Sequence, residues 1–153
     1  MEFIFKRPSH GQSAACMPIL RALPDWFGIE EALVHYAAEI ESLPTIIACD
    51  DGHNIGFVSL KKHNPLAAEI YVMGVVPGRH HQGVGRELLH HAEKWLKTQG
   101  VTYLQVKTLG PSHPDKNYAQ TRAFYEAMGF VPLEEFKQIW NEENPCLVMI
   151  KQL

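Results

Sequence analysis

Val75-Val76-Pro77-Gly78-Arg79-His80-His81-Gln82-Gly83-Val84-Gly85-Arg86 decides how this chain is read. It follows an apolar run (Ile70, Tyr71, Val72, Met73, Val75, Val76) and precedes an amphipathic one. A strand therefore ends here, a Gly-containing turn follows and a helix begins. The first turn of a helix carries backbone N–H groups without helical partners, and the helix dipole adds to their pull on an anion. Glycine has no Cβ to hold a phosphate away from them. The segment reads as a pyrophosphate cradle.

The flanking sequence extends this unit. Val84, Leu88, Ala92, Trp95 and Leu96 form one apolar stripe, which predicts a helix over 83–99 that stops at Gly100. Ala68 to Val76 before it and Val101 to Lys107 after it read as strands. A strand–helix–strand unit of this kind is a right-handed parallel crossover. Upstream, Thr45 to Cys49, Ile55 to Lys62 and Ala68 to Val76 are joined by the turns Asp51-Gly52 and Asn64-Pro65, giving an antiparallel meander. Phe3 to Lys6 reads as a short strand, and Gln12 to Leu23 and Ile29 to Ser42 as helices. Downstream come a Pro- and Gly-bearing loop over 109–116, a helix from Tyr118 to Met128, and strands over 130–136 and 146–152.

Length and composition limit the partners. The 153 residues suit one domain over 1–153, and 46% hydrophobic with 20% charged residues is ordinary for a globular protein. A net charge of -3 argues against a nucleic-acid binder. No apolar run approaches the roughly 20 residues of a membrane span. Met1 to Lys6 lacks the regions of a signal peptide. Cys16, Cys49 and Cys146 are far apart and odd in number, as expected of reduced core thiols in a cytoplasmic protein. His80, His81, His90 and His91 have no acidic or Cys ligand at metal spacing, so no metal is expected, and His90 and His91 read as solvated.

Several ligands use a cradle of this type. A dinucleotide fingerprint needs a third glycine where Leu88 stands, and the Gly-Lys-Ser/Thr of a nucleotide triphosphatase is absent. The surrounding residues are more specific. Val75-x-Pro77, then Gly83-x-Gly85, then Leu88-Leu89, resembles motif A of the GNAT superfamily of acyl-CoA-dependent N-acyltransferases. Arg122-Ala123-Phe124-Tyr125-Glu126-Ala127-Met128-Gly129-Phe130 is similar to the family's motif B. The two come in family order and together cover roughly 68–131.

The resemblance implies an α+β, mixed α/β fold. It has a central, mostly antiparallel mixed sheet of six to seven strands, helices on both faces and a splayed parallel pair. It implies direct acetyl transfer from acetyl-CoA, as co-substrate, to a primary amine. The cradle residues would be His80, His81, Gln82, Gly83, Val84, Gly85 and Arg86. The pantetheine arm would lie along Met73, Val75 and Val76, with Asn117, Tyr118 and Phe124 beyond. The Val75 N–H is the expected oxyanion donor. Two departures stand out. His80 replaces the family's Gln or Arg, leaving an imidazole to donate to phosphate. Tyr118 stands where many members carry the pantetheine-contacting Asn, with Asn117 one residue out of register.

An amine with a pKa near 10.4 is neutral in about one part in 2,500 at pH 7, so a base or a water chain must take its proton. Glu69 holds the offset of the family's glutamate base; the alternative is an exposed charge at a strand start. Strand alternation would set Glu69, Tyr71, Met73 and Val75 on one face, unless a bulge intervenes. Tyr125 occupies the family's general-acid position; the alternative is a core aromatic. Proton transfer from a phenol to a thiolate is uphill by about 2 kcal/mol, so a hydrogen bond to the departing sulfur is the expected role. No cysteine lies in a motif, which argues against an acyl-enzyme. Trp26, Phe27 and Glu30 suit a small cationic amine by cation–π and charge pairing, whereas Asp25, Glu30 and Glu31 equally suit a helix start. A protein or peptide acetyltransferase and a non-catalytic CoA-binding module remain alternatives. A homodimer is compatible with the chain.

Overall fold

The computed structural model describes residues 3–153. Met1 and Glu2, part of the N-terminal segment read above, lie outside the described residues. Among the described residues seven strands form one sheet: β1 (Ile4–Phe5), β2 (Thr45–Asp50), β3 (His53–Asn64), β4 (Ala67–Val75), β5 (Tyr103–Leu109), β6 (Val131–Asn141) and β7 (Asn144–Gln152). Their order is β1-β2-β3-β4-β5-β7-β6, antiparallel except for the β4–β5 pair. Four helices cover it: α1 (Ser13–Arg21), α2 (Glu30–Glu41), α3 (Val84–Thr98) and α4 (Lys116–Ala127).

Two cores sit on opposite faces. Leu88, Leu89 and Leu96 of α3 and Tyr125 of α4 pack against Ile46, Val58, Ile70 and Leu104. Ile19 and Leu20 of α1 and Leu33 and Ile40 of α2 pack against Ile47, Phe57 and Val72. His91 stacks on Phe5 at 4.7 Å while remaining exposed, as does His90.

One strand departs from simple alternation. Leu60 pairs with Ile70 but Ser59 pairs with Val72, so Tyr71 is an extra residue in β4. A bulge of this kind shifts the phase of everything beyond it by one face. Tyr71 and Val72 therefore pack on the α1–α2 side, whereas Met73 and Val75 pack against the α3 core. The single face expected for Glu69, Tyr71, Met73 and Val75 is broken at this bulge.

The three thiols are free and buried. Burial pushes Cys16 up to about 12 and Cys146 up to about 11, and the Tyr118 phenol up to about 12. Unfolded thiols ionise near 8.5 and phenols near 10. These groups stabilise the fold fully below their unfolded values, and that contribution is lost as pH rises through their native ones. The urea midpoint is thus expected to stay flat from about pH 6 to 8 and to fall steadily between about pH 8.5 and 12. A midpoint unchanged at pH 10.5 would contradict it.

Candidate functional site

The site begins where the parallel pair separates. β4 and β5 pair only from Ala67↔Tyr103 to Ile70↔Val106. Past the Tyr71 bulge β4 runs on with β3, while β5 runs on with β7. The strands diverge and leave a gap. Val76 donates its N–H to the Ile55 carbonyl at 2.9 Å. By the alternation of an antiparallel ladder, the N–H and C=O of Val75 point the other way, into the gap.

The gap leads to the start of α3. A 3-10 turn over Pro77–Arg79 follows β4, and His81 has φ 62°. Gly83 has φ 84°, a left-handed conformation that glycine adopts without penalty, and no side chain caps the helix there. The N–H groups of the first turn of α3 have no helical partners. Arg79 forms an ion pair with Asp50 at 2.6 Å. The His80 Nε2–H donates to the Val75 carbonyl at 2.7 Å. In a neutral imidazole that is the single donor, so the ring does not offer it to a phosphate as the sequence suggested. Val75 takes it because its carbonyl, released from the ladder, faces the same gap.

A cleft of about 590 Å³ occupies the gap. Of the residues expected from sequence, Met73, Val75, His80, His81, Gly83, Val84, Gly85 and Arg86 line it. So do Tyr118, Phe124, Tyr125, Trp26 and Phe27. Val76, Gln82, Asn117, Glu30 and Glu69 are not on its wall. Gln82 bonds the Gly78 carbonyl at 3.3 Å, and the Asn117 N–H is taken by Asp115, which caps α4. Glu30 pairs with Arg21 at 2.8 Å on an exposed surface and lies in the first turn of α2. Its acidity therefore serves a helix start, not the cleft.

Tyr125 is 5% exposed, flanked edge-on by Phe124 at 5.4 Å and Phe130 at 5.5 Å. Burial, helped by Tyr118, pushes its phenol well above the ordinary range. It is held as a neutral O–H donor on the cleft wall. The Tyr118 O–H donates to the Trp26 carbonyl at 2.9 Å, and the Trp26 indole N–H to Thr121 at 3.1 Å. These bonds tie the segment between α1 and α2 to α4 across the cleft.

Glu69 is 4% exposed, which excludes the reading of an exposed strand-start charge. Its Oε1 meets His63 Nε2 at 2.7 Å, Gln105 Nε2 at 3.2 Å and Lys107 Nζ at 3.5 Å. Its charge is felt by Tyr36 and Tyr71, which line the cleft, as does Lys107. The carboxylate thus sits just behind the cleft wall on the α1–α2 side.

Sequence reading missed Thr108, Tyr36, Tyr71, Lys107 and Trp140 on this wall. Thr108 is 3% exposed, and its Oγ1 has no hydrogen-bond partner among the described residues. Buried hydroxyls are normally satisfied, so an unpaired one on a cleft wall suits a bound polar group. The lone apolar pair Ile139-Trp140 in a polar stretch was the one available signal for Trp140.

Known proteins share this fold. The sequence profile of the acetyltransferase (GNAT) family matches residues 15–130. The chain is 35% identical over 83 residues to a mycothiol acetyltransferase of Beutenbergia cavernae. That stretch is 54% of this chain but 26% of the relative, so the match spans about a quarter of that protein. A GNAT-family protein from Desulfovibrio desulfuricans superposes with a TM-score of 0.85 at 19% identity, over 99% of both chains. PaiA N-acetyltransferase from Thermoplasma acidophilum, solved with coenzyme A, superposes with a TM-score of 0.76 at 20% identity over 100% of both. A profile match running from α1 to the end of α4, on a sheet splayed beside a glycine-started helix, places the chain in the GNAT acetyltransferase family.

Proposed function

We propose that this enzyme transfers the acetyl group of acetyl-CoA to a primary amine on a small molecule, by direct attack in a ternary complex. The observation that carries the reading is the splay. It presents the Val75 N–H, the uncapped start of α3 and the Tyr125 hydroxyl on the walls of one cleft. The fit to a pantetheine thioester rests on this chain's own groups: a strand edge left without a partner and the orphaned Thr108 hydroxyl.

Acetyl-CoA supplies an acyl group activated as a thioester. The α3 start, with His81 and Arg86 near it, receives negative charge. Val75 N–H donates to the carbonyl oxygen as charge develops there. Glu69, just behind the wall, takes the proton of the amine through one water. Tyr125, held protonated, hydrogen-bonds the departing sulfur. The buried thiols, with Cys16 and Cys146 pushed above the ordinary range, are poor nucleophiles, which supports transfer without an acyl-enzyme.

The acceptor end supports a small, largely apolar amine. Trp26, Phe27, Tyr36, Tyr71 and Trp140 supply aromatic surface, and among the described residues no Asp or Glu is on the wall. The bonds from Trp26 to α4 bound the cleft, as a small-molecule pocket needs. The cytoplasm, with its acetyl-CoA, is the compartment we assign.

The test is CoA release over a panel of aromatic amines, amino acids, amino sugars, polyamines and N-terminal peptides. Turnover of small amines with an apolar body is expected. Turnover of peptides alone would move the activity to proteins, and none at all would leave a CoA-binding module. Tyr125→Phe is expected to lower kcat by about tenfold to a hundredfold with little change in the KM for acetyl-CoA. An unchanged kcat would remove Tyr125 from the mechanism.

A further inference from the structure

We propose that His63 passes to solvent the proton that Glu69 takes from the acceptor, making a two-residue relay. This rests on the acetyl-transfer reading above. An acceptor that arrives as an ammonium ion must lose one proton per turnover: ammonium plus acetyl thioester gives amide, free thiol and one proton. The base that takes this proton is buried, so it needs a way out.

The exit is visible around Glu69. Its side chain is 6% exposed, whereas that of His63, 2.7 Å from Oε1, is 35% exposed. His63 lines a second cavity of about 230 Å³, which shares no wall residue with the cleft. Ala68 of β4 lines this second cavity and Ile70 lines the cleft, so Glu69 lies between the two. On the cleft side stand Lys107 and the tyrosines 36 and 71. On the other stand His63 and Gln105. Gln105 can donate to the carboxylate but cannot carry a proton, and Lys107 faces the cleft; Cys146 of β7 also senses the carboxylate. Lys61, on the strand that carries His63, is engaged by Glu39 at 3.7 Å. The imidazole is the group that connects Glu69 to the second opening. A register shift between Lys62 and Asn64 leaves His63 out of the ladder, beside the carboxylate.

The ammonium gives a proton, through one water, to the Glu69 carboxylate behind the wall, and the neutral amine forms the N–C bond to the acetyl carbon. The C–S bond breaks with its electron pair going to sulfur, and the second nitrogen proton ends on that sulfur. At rest His63 Nε2–H donates to the Glu69 carboxylate; once Glu69 is protonated, the exposed ring moves its proton to Nδ1 by exchange with solvent, and Glu69 O–H gives its proton to Nε2. Nδ1 then releases its own proton to water, which restores the resting pair.

His63→Gln keeps a donor beside Glu69 but cannot conduct a proton. In about 1 mM buffer we expect its kcat to fall about tenfold, below the 10²–10⁴ assigned to general acid–base catalysis as a whole. The KM for acetyl-CoA should stay unchanged. Added imidazole or concentrated small buffer should restore kcat in His63→Gln and His63→Ala, and should leave wild type unchanged. Wild-type kcat for His63→Gln in dilute buffer, or a loss in both variants that buffer does not rescue, would overturn the relay. Absence of CoA release from wild-type enzyme over the whole amine panel would instead overturn the transferase reading.

Discussion

Glu69→Gln is expected to lower kcat by about 10² to 10³, with the KM for acetyl-CoA within about twofold of wild type. The substitution preserves volume and the hydrogen bonds that His63 and Gln105 make to an amide oxygen, so the thermal midpoint should move little. What it removes is the capacity to take a proton. The loss belongs to the amine half of the reaction, because the carboxylate lies behind Lys107 and Tyr71, on the α1–α2 side of the sheet. Steady-state rates with a fixed amine and varied acetyl-CoA give both parameters. A kcat within twofold of wild type would assign proton removal to water.

Gly85→Glu is expected to weaken CoA binding by more than a hundredfold, which corresponds to about 2.8 kcal/mol or more. A Cβ at Gly85 meets the Phe124 ring at 3.4 Å, ordinary contact, so Gly85→Ala should bind CoA almost normally. The carboxylate is what matters, since it competes with phosphate for the N–H groups that open α3. Gly83→Asn separates backbone from charge, because asparagine tolerates the left-handed region that Gly83 occupies at 84°. It should cost less than tenfold. Titration calorimetry with CoA measures all three, and normal binding by Gly85→Glu would remove α3 from the phosphate site.

The fold was legible where local signals agreed with tertiary demands. The Gly100 stop, the Asp51-Gly52 turn and the stripe of α3 each mark an element boundary without help from distant residues. The bulge at Tyr71 carries no such mark. Ile70 to Met73 is apolar at every position, so either phase buries hydrophobic surface and alternation cannot choose. The side of the sheet that receives Glu69 was therefore open until β3 and β5 set the register. Glu30 failed for another reason. An acid in a first helical turn looks the same whether it serves a ligand or the helix, and its partner Arg21 lies on the preceding helix, beyond the turn. Thr108, Trp140 and His63 were invisible because what singles them out is a neighbour on another strand. The unmatched His80 was noticed in the sequence, but its bond to Val75 depends on where the chain turns after Val76.

The short parallel register from Ala67–Ile70 to Tyr103–Val106 has a mechanical consequence. It makes the sheet two stiff leaves, β1–β4 and β5–β7–β6, sewn together by four residue pairs. In the free protein the amides along this seam should exchange with deuterium far faster than those of the β3–β4 and β5–β7 ladders. An extended ligand in the gap adds stitches to the seam. Its binding should then slow exchange on both leaves at once, including residues of β7 that never touch it.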